Sequence, residues 1–350
     1  MTEARRPIPL TLRSGPPGPS APRRRTRPAI GLSIGIAGIL ALVGIRLLAP
    51  PEAGEALSDS VQDFITLSAS VVIESLPFVF LGILVSTAVQ LWMPEGFLER
   101  RLPRNPFARR ALISLLGVLL PVCECGNVPL ARGLIQRGLT VGESMTFLLA
   151  APILNPITII TTYQAFGWDD GILVSRILGG FLIANLVGWV YSRHRDPMSL
   201  LTPSFAAACA HADTVSGSKP RRAARMFADE TSAMLPALFV GSAIAGLIQV
   251  AVSRDLLITL GQNPVLSVFA LMLLAFVVGI CSNVDAFFVL SFGSTFTPGA
   301  IVAFLVFGAM IDVKMLALLR TTFRARVLVQ LTVIVALASA AIGLAVNLVA

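Results

Sequence analysis

Charge is scarce in this chain. Asp, Glu, Lys and Arg supply 13% of its 350 residues, against roughly 25% in a soluble globular domain. Hydrophobic residues supply 55%, and mean hydropathy is +0.82. An ordinary soluble domain is excluded, and several windows exceed the length of about 20 apolar residues that crosses a bilayer. The expected class is an all-α, polytopic membrane protein. Histidine is nearly absent: His194 and His211 share one polar stretch, so a histidine-based zinc site within the membrane is not expected. Cysteine is sparse too. Cys123, Cys125, Cys209 and Cys281 show no paired spacing in an extracytoplasmic loop, so no disulfide framework is read. There is no Walker motif, no Rossmann fingerprint and no HExxH, so no ATPase or metalloprotease chemistry is visible. No cofactor, no resident metal and no enzymatic activity are expected. A pI near 10.3 does not imply nucleic acid, because the cations lie in short segments between apolar runs. There they set topology and meet anionic lipid.

Residues 1–28 hold seven Arg and many Pro and read as a disordered, cytoplasmic arm. An extra N-terminal span, 29–49, exceeds the h-region of a signal peptide and reads as an uncleaved anchor. A first unit covers 61–192, a cytoplasmic loop 193–225, and a second unit 226–349. Within these, Leu119-Leu-Pro-Val-Cys-Glu-Cys-Gly-Asn-Val-Pro129 interrupts an apolar stretch with two prolines and a glycine, which no helix passes through undisturbed. Gly279-Ile-Cys-Ser-Asn-Val-Asp285 does the same in the second unit. Irregular backbone at membrane depth survives only where protein buries it or it lines a wet cavity.

Charge placement decides how the first broken stretch runs. If 111–137 crossed once, Arg132, Arg137 and the six cations of 193–225 would lie outside, against the positive-inside tendency. If it enters and returns as a re-entrant hairpin, the basic segments 93–110, 132–140, 193–225 and 320–326 share the inside, and Arg254 is the one clear cation outside.

The chain also repeats. Pro77, Gly82 and Gln90 recur at the same spacing as Pro236, Gly241 and Gln249. Cys125-Gly-Asn-Val-Pro129 matches Cys281-Ser-Asn-Val-Asp285, and Phe147–Asn155 matches Phe304–Asp312. The offset stays between 156 and 159 residues in all three blocks. A hairpin plus three crossings per unit places the second copy upside down. Inverted repeats with broken helices at mid-depth are the architecture of many secondary transporters.

Buried cysteine is often only small apolar filler. Here Cys123 and Cys125 flank a carboxylate on a broken backbone, and Cys281 holds the matching place in the second unit. If the tips meet, three thiols converge, a set suited to a trivalent arsenical or a soft metal ion. Glu74, Glu124, Asp285, Asp312 and Lys314 lie in or beside apolar segments, where burial costs a few kcal/mol. They are either structural pairs, such as Asp312 with Lys314, or proton-coupling groups, with Glu124 and Asp285 first. Asn127, Asn155 and Asn283 beside the breaks either satisfy freed backbone groups or bind substrate. Pro77, Pro121, Pro129, Pro152 and Pro156 read as hinges or kinks. Glu143 and Ser144 read as first-turn capping residues.

The block Pro121–Gly138, followed by Phe147-Leu-Leu-Ala-Ala-Pro-Ile-Leu-Asn-Pro156, resembles the bacterial predicted-permease family that includes the ArsP-type organoarsenical efflux permeases. Cys-Ser-Asn-Val-Asp-Ala-Phe-Phe288 is similar to that family as well. The resemblance covers about residues 60–345. It implies a multi-pass permease of the bacterial inner membrane. From the arsenical members it implies export of trivalent organoarsenicals on membrane cysteines, carried here by Cys123, Cys125 and Cys281. The expected partners are a small-molecule or metalloid solute and the bilayer, with a homo-oligomer left open. Two alternatives stand beside transport: a thiol-disulfide oxidoreductase using Cys123 and Cys125, and a non-transporting subunit of a membrane complex.

Overall fold

The computed structural model describes residues 59–94, 97–119, 123–168, 171–210, 218–251, 263–293 and 295–349. The basic arm 1–28, the span 29–49, Pro121, His211 and Arg254 lie outside the described residues. The rest is helical: α1 (Asp59–Trp92), α2 (Phe97–Arg101), α3 (Pro106–Ser114), α4 (Leu116–Leu119), α5 (Glu124–Gln136), α6 (Val141–Ala150), α7 (Pro156–Phe166) and α8 (Ile172–Ser192). A 3-10 turn at Pro197–Leu200 leads into α9 (Pro203–Ala210) and α10 (Lys219–Ala251). Then come α11 (Pro264–Val278), α12 (Asp285–Leu290), α13 (Pro298–Met310), α14 (Val313–Leu319) and α15 (Ala325–Val349). Among the described residues five runs are long and apolar enough to cross a membrane: α1, α8, α10, α13 continued through α14, and α15.

One local device starts the helices that flank the breaks. A short polar residue is followed by proline: Asn105-Pro106, Asn155-Pro156, Asn263-Pro264 and Thr297-Pro298. The side-chain oxygen accepts an orphan N–H of the first turn, and proline fills a position whose own N–H would be unpaired. Asn155 Oδ1 accepts from Ile157 N at 3.0 Å. Asp312, its counterpart in the second unit, caps α14 by accepting from Met315 N at 2.6 Å. Thr140 and Glu143 form a capping box on α6, as the first-turn reading expects of Glu143.

Proline does not break every helix it enters. Pro77 lies inside an unbroken α1 and Pro129 inside α5, whereas Pro152 and Pro156 do sit at the interruption between α6 and α7. Among the described residues of 193–225, Pro197–Leu200 and Pro203–Ala210 are helical, and a long helix begins at Lys219. Lys219-Pro-Arg-Arg-Ala-Ala-Arg opens α10 eight residues before the apolar run begins, because Arg and Ala are strong helix formers whatever their polarity. Arg132 belongs to α5 and is buried, not a loop cation.

Contacts fix how the breaks run. Arg109 on α3 pairs with Glu143 at the start of α6, and Arg110 reaches Ser192 at the end of α8. Tyr191 donates to the Val327 carbonyl at 3.0 Å. Arg132, near the end of α5, donates to the Thr321 carbonyl at 3.2 Å. So α3–α4 runs out and α5 runs back, with both open ends beside the start of α15. The second stretch is anchored at the opposite end of α15. Ser267 and Thr297, which open α11 and α13, are 3.3 Å apart, and Gly299 N donates to Asn347 at 2.8 Å. The 25 residues of α15 separate these two ends by about 37 Å at ~1.5 Å per residue. Against α5 lies α1, so close that a Cβ on Gly82 would strike the Gly126 backbone. The second long neighbour of α1 is α10, which also packs on α14.

Candidate functional site

Two breaks, one from each half, touch. Cys123 precedes the first turn of α5 in extended conformation, and Glu124 opens the helix with its carboxylate 1% exposed. On the other side α11 ends at Gly279, whose φ of +57° lets the chain turn sharply into Ile280-Cys281-Ser282-Asn283. Ser282 Oγ donates to Glu124 Oε2 at 3.2 Å, and Cys281 Sγ stands 3.8 Å from the same oxygen. The donor atoms of Cys123, Glu124 and Cys281 all lie within 4.8 Å of one another. Cys125 lines the same small void, together with Ser75, Phe78 and Lys314, but its thiol points to Ser75 Oγ at 3.7 Å. All three thiols line one void, the Cys123 thiol meeting those of both Cys125 and Cys281, and the Glu124 carboxylate joins them.

Glu124 and Asp285 each take a separate cation. Lys314 Nζ is 3.1 Å from Glu124 Oε1 and 3.9 Å from Asp312 Oδ2. Asp285 is gripped by both ends of the Arg176 guanidinium, at 2.9 and 2.6 Å. Arg176 also donates to Thr162 Oγ1 at 2.7 Å. Such bidentate pairs are the strong form of charge-assisted hydrogen bonding. Sequence reasoning missed Arg176, although an arginine four residues into an apolar helix was a visible signal, since burying such a group requires a partner.

Arg132 was also missed as a structural centre. Its Nε meets Glu230 at 2.5 Å, its Nη1 reaches Thr322 Oγ1 at 3.2 Å, and its guanidinium lies 4.1 Å over the Phe205 ring. It therefore ties α5 to α9, α10 and the start of α15.

The remaining candidates scatter. Glu74 is exposed on α1 at the margin of the void. Asn155 is fully buried and caps α7. Asn283 accepts from Thr158 at 3.2 Å and joins the second tip to α7. Asn127 is fully buried, with neither end of its amide hydrogen-bonded, an omission that costs about 1–3 kcal/mol. A further concavity lies away from these groups. It is an open, apolar groove between α10, α14 and α15, lined by Pro236, Val240, Ile244, Leu328 and Val333, the surface a bilayer would cover.

Long apolar helices, breaks that meet, and buried carboxylates with partners define a class: a multi-pass membrane protein of the permease kind. Residues 60–348 match the ArsP_1 family, described as predicted permease, and the chain belongs to that family. It is 36% identical to UPF0718 protein YcgR of Bacillus subtilis over 73% of this chain and 87% of that one. It is 30% identical to a putative two-component membrane permease complex subunit of Streptococcus mutans over 78% of this chain and 91% of that one. No solved structure matches it.

Proposed function

We propose that the protein is a secondary permease of the bacterial inner membrane that exports a small thiophilic solute, such as a trivalent organoarsenical. Cys123, Cys125 and Cys281 bind it. The observation that carries this reading is the contact of the two tips, in which Ser282 and Cys281 of one address Glu124 of the other. Support for an inverted repeat comes from the hairpins, which are anchored at opposite ends of α15. Rocking one unit against the other would then open the thiols to either side in turn, as alternating access requires. An ion gradient drives the cycle, with Glu124 and Asp312 as coupling acids. The N-terminus lies in the cytoplasm, where the basic ends of α3, α5 and α10 gather with the positive-inside preference.

The test is growth of an arsenical-sensitive bacterium on methylarsenite. The wild type is expected to raise tolerance, and Cys123→Ser or Cys281→Ser to abolish the gain. No gain from the wild type would remove the arsenical while leaving the permease family intact.

A second reading follows from the Streptococcus mutans relative named as a complex subunit. A partner membrane protein co-purifying in fixed ratio with this chain, and required for tolerance, would favour it.

A further inference from the structure

One ammonium faces two carboxylates at the meeting of the tips. Lys314 lies between Glu124 and Asp312, all three at most 2% exposed. The other buried guanidiniums nearby are committed, Arg176 to Asp285 and Arg132 to Glu230. Apart from that ammonium, Glu124 Oε1 and Asp312 Oδ2 have no donor. With neutral thiols the cluster carries one net negative charge in a medium that penalises it. It also holds two sulfurs and a carboxylate within 4.8 Å of one another. Zinc binds thiolate at about 2.3 Å and carboxylate at about 2.0–2.2 Å, and the larger cadmium ion somewhat farther, so ligands of one ion lie roughly 3.5–4 Å apart. The donors here need to close by only a few tenths of an ångström to about one ångström.

We infer that Cys123, Cys281 and Glu124 form a transit site for a soft divalent cation of the zinc and cadmium class, with Lys314 as its tethered competitor. This rests on the thiol site above and adds the charge of what it takes. As the ion binds, two S–H bonds break and two metal–sulfur bonds form. Two protons leave to water, and nothing is oxidised or reduced. Lys314 gives up Glu124 and swings fully to Asp312. The ion brings two positive charges and two protons remove two, so the cluster's net charge is unchanged. The return of Lys314 to Glu124 helps to expel the ion. Three protein ligands leave one position open for exchange, which a transit site needs and a closed structural site lacks.

The test uses the full chain in lipid nanodiscs, titrated with cadmium ion and followed by thiolate-to-cadmium charge-transfer absorption. Wild type is expected to show the band, Cys209→Ser to keep it, and Cys123→Ser or Cys281→Ser to lose it. Lys314→Met removes the competitor and is expected to tighten binding at least about tenfold. Lys314→Arg keeps the charge, grips Glu124 with a fork, and is expected to weaken it; it also serves if the Met variant does not fold. Unchanged or weaker binding by folded Lys314→Met, or a band that survives both cysteine substitutions, overturns the inference. Methylarsenite, which carries no charge to displace the ammonium, is titrated in parallel. Its binding without cadmium binding would sink this inference alone, and loss of both would sink the thiol site itself.

Discussion

The two tips hold their acids in opposite manners. Asp285 in the second half is locked by both nitrogens of Arg176, itself braced by Thr162 and set on α8 of the first half. Glu124 in the first half meets Lys314 at one point, 3.1 Å away, and shares it with Asp312. A planar fork holds its partner in one geometry, whereas an ammonium on a flexible stem moves between partners. One acid has become a clamp between the halves. The other sits among thiols, with a partner that can leave.

Substitutions can break that contrast. The largest effect is expected at the clamp. Asp285→Ala strands a buried guanidinium, a loss on the order of 3–5 kcal/mol, and should collapse the monodisperse peak in detergent size-exclusion chromatography. The paired change Arg176→Met with Asp285→Leu should restore most of it; failure to do so would mean that Asp285 does more than hold Arg176. Glu124→Gln should act the other way round. It keeps the shape and the Ser282 contact, so the melting temperature should stay within a few degrees while solute export falls at least about tenfold. A variant as unstable as Asp285→Ala would erase the distinction between the two acids. The smallest effect is expected from Asn263→Ala, which removes only the cap of α11, worth about 1 kcal/mol. Thermal melting should register it and export should not.

Much of the frame was legible in the sequence. The interruptions at Leu119–Pro129 and Gly279–Asp285 show in their Pro and Gly, and the basic segments indicate an out-and-back path for 111–137. What could not be read is which charge answers which. Glu124 finds Lys314, and Arg176 finds Asp285, across 109 residues or more of chain. A costly residue in an apolar run announces that a partner exists, but packing decides its identity. Pro129 misled for a related reason: it lies inside α5, since a helix held by neighbours on several sides tolerates the missing hydrogen bond. The start of α10 at Lys219 was hidden because polarity was taken for loop, although a helix can run past the bilayer with charged turns.

The close seat of Gly82 on Gly126 has a mechanical consequence. With no side chain between the two backbones, the tip that carries Cys123 and Glu124 is coupled to α1 without slack. Under the alternating access proposed above, a shift that uncovers the thiols would drag a helix of 34 residues along with it. A bulkier residue at Gly82 would act as a wedge driven under a lever, jamming the stroke at the fulcrum while the sulfurs themselves remained intact.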